Sequence, residues 1–60
     1  MTLYNYSVKV VYPLDNNKVK FYKNDYSVNF DRLQDDLRNI YWGVDELNGV
    51  IENIKIMEVK

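Results

Sequence analysis

The sequence predicts a small α+β domain, a two-layer sandwich ordered β-β-α-β, with a three-stranded antiparallel sheet and one helix on one face. Three observations predict it. Residues 3–12 alternate polar and apolar side chains with period two. Apolar residues from Phe30 to Leu47 recur with the period of a helix. Residues 50–59 return to β-branched side chains in alternation. Sixty residues make at most one domain, 1–60, because so short a chain buries only ~60% of the surface it exposes when unfolded.

In the first strand, Tyr4, Tyr6, Val8, Val10 and Tyr12 point one way, while Asn5, Ser7, Lys9 and Val11 point the other. Pro13 cannot donate to a ladder, and Leu14-Asp15-Asn16-Asn17 is turn chemistry, so pairing should stop there. Lys18 to Tyr22 resumes as a second strand, antiparallel to the first. Hydrophobicity assigns Val19 and Phe21 to the core face and Lys20 and Tyr22 to the opposite one. Residues 23–27 read as a connection, although Tyr26 and Val28 can prolong the strand past a bulge.

The helical stripe holds Phe30, Leu33, Leu37, Ile40, Val44 and Leu47. Either Asn29 or Asp31 can cap its start, and acidic residues in the first turns suit the helix dipole. Gly43 could end the helix at Trp42. The stripe persists beyond it, which favours a helix that absorbs Gly43 and runs to Asn48-Gly49. Tyr41, at the margin of the stripe, reads as core. In the third strand Ile54 and Ile56 point inward, and Lys55 and Met57 outward.

A helical crossover from the second strand to the third places the first strand in the middle of the sheet. One helix cannot cover both faces. The uncovered face should carry Asn5, Ser7, Lys9, Val11, Lys20, Tyr22, Lys55 and Met57.

Composition narrows the chemistry. The chain has no cysteine and no histidine, so disulfides, Cys/His zinc sites and histidine acid–base catalysis are excluded. The only glycines, Gly43 and Gly49, make no phosphate-cradling loop. Asp15-Asn16-Asn17 starts like a calcium loop, but Val19 stands where an oxygen ligand is needed. No catalytic residue, metal or cofactor is expected, and the chain reads as non-enzymatic. No apolar run approaches the ~20 residues of a membrane span, and the start lacks a basic region before an apolar core. The cytoplasm is the expected location. Asn5-Tyr6-Ser7 matches a glycosylation sequon inside a strand and is read as chance.

Charge is unevenly spread. Residues 2–24 sum to +3, residues 25–52 to −5 and residues 53–60 to +1, so a net charge of −1 hides a dipolar chain. Trp42 falls about 180° from the stripe's centre, where a continuous helix exposes it and a helix ending at Gly43 folds it back. Exposed tryptophan is a common binding anchor. Asp31, Asp35, Asp36, Asp45 and Glu46, with Glu52 as a further candidate, give an acidic surface able to imitate a phosphate track, which Arg32 and Arg38 interrupt. Lys9, Lys20 and Lys55 around Tyr22 are the residues a single nucleic-acid strand would use on the open sheet. Three lysines on an acidic protein make a slight footprint, so nucleic acid is not the expected partner.

The leading expectation is a module that binds a larger host protein through Trp42, the acidic helix and the uncovered sheet face with Lys9, Lys20, Tyr22 and Lys55. Asn, Lys, Tyr and Ile supply 24 of the 60 residues, a bias typical of AT-rich coding. A phage or mobile-element inhibitor of a host defence or nucleic-acid enzyme, of the anti-CRISPR type, fits that description. A homodimer that pairs open sheet faces or edge strands is the alternative. Weak single-strand binding is the third.

Overall fold

In the computed structural model, which describes residues 2–59, the elements are β1 (Leu3–Tyr12), β2 (Lys18–Lys23), α1 (Phe30–Glu46) and β3 (Val50–Val59). Met1 and Lys60, the ends of the expected 1–60 domain, lie outside the described residues. The sheet order is β2-β1-β3, and both neighbours run antiparallel to β1. This is the expected α+β fold with β1 central and one helix. The alternating face of β1 supplies Tyr6, Val8, Val10 and Tyr12 to the core, and Leu33 and Val44 of α1 close it. No described helix is long and apolar enough to cross a membrane.

Asn29 is the N-cap of α1. Its side-chain oxygen accepts from the Arg32 N–H at 2.9 Å. The helix absorbs Gly43 and stops at Glu46, two residues short of Asn48. Asn48 takes the left-handed conformation, φ 55°. Its N–H donates to the Asp45 carbonyl at 3.1 Å, and the Gly49 N–H donates to the Val44 carbonyl at 2.8 Å. This double hydrogen bond closes the helix end and satisfies two of its orphan carbonyls. Gly49 is required for a different reason. A Cβ there would lie 2.8 Å from both the Tyr12 ring and a Val44 methyl, so only glycine lets the helix end touch β1 this closely.

The second strand corrects the sequence reading. Val8 pairs with Tyr22, Val10 with Lys20 and Tyr12 with Lys18, and residues paired across a ladder share a face. Lys20 and Tyr22 therefore lie on the helix side. Val19 and Phe21, expected in the core, lie on the open face opposite Val11 and Lys9. Turn geometry decides this. A 3-10 turn over Pro13–Asp15 followed by Asn16 and Asn17, with φ 53° and 57°, pairs Tyr12 with Lys18. A slip of one residue would invert every side chain of the strand. The core loses little by it, because α1 packs more on β1 and β3 than on β2.

β3 carries a bulge at Glu52. Lys9 pairs with Asn53 and Val10 with Ile51, leaving Glu52 as the extra residue. Ile54 and Ile56 sit opposite Val8 and Tyr6, on the expected face, yet 39% and 48% of their surface stays exposed. Tyr41, expected in the core, is 40% exposed. Phe30 and Leu47 overhang the core at the two ends of the stripe and are exposed. The helix is narrower than the layer it covers, so its margins and those of β3 stay in water. Val28 rejoins the sheet past the connection and exchanges backbone hydrogen bonds with Tyr4 at 2.7 and 3.0 Å.

Candidate functional site

With α1 continuous through Gly43, Trp42 points away from the sheet and is 69% exposed. Arg38 precedes it by one turn, and Asp45 and Glu46 follow by one turn, all exposed on the same outer face. Asp31 and Asp35 extend that face toward the helix start. The Arg38 guanidinium lies 4.0 Å from the Asp35 carboxylate. Both groups are in water, so the pair holds neither firmly. The result is an indole amid carboxylates, with one mobile cation beside it.

Asp36 leaves this group. Its carboxylate turns to the flank of α1, where Arg32 Nε lies at 2.9 Å and the Tyr6 hydroxyl donates at 3.1 Å. Asp36 thus ties the helix to β1. Burial, and then the bond to Asp36, raise the Tyr6 pKa above its usual value. Adjacent Asp36 also raises the Arg32 pKa.

The cluster expected on the open sheet does not assemble. Lys9 and Lys55 are on the open face, opposite Asn53 and Ser7. Lys20 and Tyr22 are on the other side of the sheet. The Tyr22 ring is already engaged: Lys20 Nζ stands 4.8 Å from its centroid, and its hydroxyl shares a 2.7 Å hydrogen bond with Tyr12. That bond, with burial and the charge of a tyrosinate at Tyr22 adding to it, pushes the Tyr12 pKa up to about 12. Lys9 is paired with Glu52 at 3.1 Å. The ring that the open face does carry among its lysines is Phe21, paired with Lys9 and two residues from Lys23, which shares Ser7 with Lys55. Toward the hairpin end the open face turns apolar: Val11, Val19 and Val50 adjoin there, and Phe21 beside them is 61% exposed.

Two further features escaped the sequence reading. An open groove of about 540 Å³ lies between β2 and the end of α1, lined by Tyr12, Lys18, Lys20, Tyr22, Glu46 and Leu47 among others. Asn24 is a structural hub. Its side-chain amide donates to the Tyr4 and Tyr26 carbonyls at 3.1 and 2.8 Å, and its oxygen accepts from the Tyr6 N–H at 3.1 Å. It replaces a strand residue where β2 has ended. The turn propensity of Asn24 was visible in the sequence; its distant partners were not. Among the described residues, no three Asp or Glu side chains gather closely enough to hold a metal ion.

The fold and its surfaces define a small two-layer α+β domain with an indole-bearing acidic helix. No family model, no curated protein and no solved structure matches the chain.

Proposed function

We propose that this chain is a protein-binding module that acts by occupying a surface of a larger protein, with the outer face of α1 as its contact. The observation that carries the reading is Trp42, held in water on a regular helix. Leaving a large apolar side chain exposed forgoes roughly 1.5–3 kcal/mol of burial. Tryptophan is among the residues most enriched at the centres of binding surfaces. Asp31, Asp35, Asp45 and Glu46 form a polar rim around it, and they fit a cationic partner with an apolar notch for the indole.

A nucleic-acid channel of an enzyme has that chemistry, because carboxylates along a rigid helix can stand where phosphates would lie. The particular reading is thus an inhibitor that blocks such a channel in a host enzyme, as a phage or mobile-element protein of the anti-CRISPR type does. The test is affinity capture from the host, then titration of the purified partner. Trp42→Ala should weaken binding by about 2 kcal/mol or more, roughly 30-fold. The native chain should also displace oligonucleotide from the partner. An alanine variant that binds as tightly as the native chain contradicts the proposal.

A further inference from the structure

We propose that the outer edge of β3 pairs with the same strand of a second copy of this chain, antiparallel about a two-fold axis, so that two sheets join into one of six strands. The two edges of the sheet differ. β2 is six residues long and carries Lys18, Lys20 and Lys23. Short, lysine-bearing edges discourage further pairing. β3 is ten residues long, has no proline, and carries Lys55 as its one cation. Its bulge at Glu52 distorts only its beginning and leaves Asn53 to Val59 in regular register with β1. Along that stretch, alternate N–H and C=O groups point away from β1. No further strand pairs with them among the described residues.

Most side chains beside this edge are apolar and uncovered, with Glu58 the acidic group on the helix side. Ile54 and Ile56 are half exposed on the helix side, and Met57 is exposed on the other. The helix presents an uncharged flank to them. Arg32, Asp36 and Ile40 face Tyr6 and Asn24, which leaves Phe30, Leu37 and Tyr41 on the side of β3. A two-fold interface must be complementary to itself. Lys55 and Glu58 are the charges of that stretch, and a register that sets neither opposite its own copy meets the condition: about Ile56, Glu58 faces Ile54.

One copy carries surface enough for such a contact. One copy exposes 4802 Å², whereas a folded chain of this mass exposes about 4100 Å². The surplus of about 700 Å² is close to the ~800 Å² that each partner contributes to a stable interface. Register follows from charge. An axis through Lys55 would set two ammonium groups opposite each other, whereas an axis through Ile56 sets Lys55 against Met57. Both copies of α1 then lie on one side of the joined sheet, with both Trp42 faces outward.

Sedimentation equilibrium of the full chain at tens of micromolar should give the mass of two chains. Ile56→Lys should raise the dissociation constant roughly tenfold or more, while Phe21→Lys, on the open face, leaves it unchanged. Far-ultraviolet dichroism checks that each variant remains folded. Because the chain has no cysteine, Ile56→Cys supplies a second probe that keeps the side chain small and apolar. A short bis-maleimide should join two Ile56→Cys chains and fail to join two Phe21→Cys chains. A single-chain mass for the native protein contradicts the proposal. So does dissociation by Phe21→Lys, or cross-linking that favours position 21 over position 56.

Discussion

Three tyrosines show how single side chains hold the layers together. Tyr6 reaches across to Asp36 of α1, and Tyr12 meets Tyr22 hydroxyl to hydroxyl. Both contacts need the phenol protonated. The Tyr12 pKa is raised from 10.0 to about 12, so the folded state holds its proton more tightly than the unfolded chain does. Its contribution is complete below about pH 10 and is lost as pH rises from 10 toward 12. Tyr6 is shifted in the same direction. Urea unfolding across that window should show stability falling with pH, and Tyr12→Phe should flatten the slope without abolishing it, because Tyr6 remains. An unchanged slope in Tyr12→Phe would mean that the Tyr12–Tyr22 bond does not carry the shift. None of these pairings was legible in the sequence, where tyrosines on an alternating strand read only as apolar. Asp36 was misplaced for the same reason: its partners lie 4 residues before it and 30 residues before it.

At the scale of the element, α1 was the most legible part of the chain. Its stripe and its passage through Gly43 follow from local chemistry, which left the cap open between Asn29 and Asp31. β2 was the least legible. Its alternation was visible, but its parity is set by the Pro13–Asn17 turn, and hydrophobicity alone pointed to the wrong face. The two glycines divide along the same line. Nothing lies within 4 Å of a Cβ at Gly43, so Gly43→Ala should stabilise the helix by up to about 1 kcal/mol. At Gly49 the same change meets Tyr12 and Val44 at 2.8 Å and should cost about 1–3 kcal/mol. Urea midpoints of the two variants, shifting in opposite directions, check both claims. A stabilising Gly49→Ala would show that the helix end does not rest on β1.

For the whole molecule, the sequence foretold one covered face and one bare face. It did not foretell that the helix would leave both edges of its own side in water. The molecule measures 41 × 16 × 15 Å, and among the described residues the largest fully buried side chains are Val8 and Val10. So thin a core leaves much of the surface free for contacts with other chains. The candidate surfaces separate accordingly: Trp42 and its carboxylates face outward from α1, the edge of β3 lies to one side, and Phe21 faces the reverse. The outward position of Trp42 carries the proposed contact, and the chain has one tryptophan to report it. Its fluorescence in the isolated protein is the most direct test. We predict emission at the wavelength of indole in water and iodide quenching close to that of the unfolded chain. Blue-shifted emission that iodide cannot reach would place the indole against the core and contradict the account.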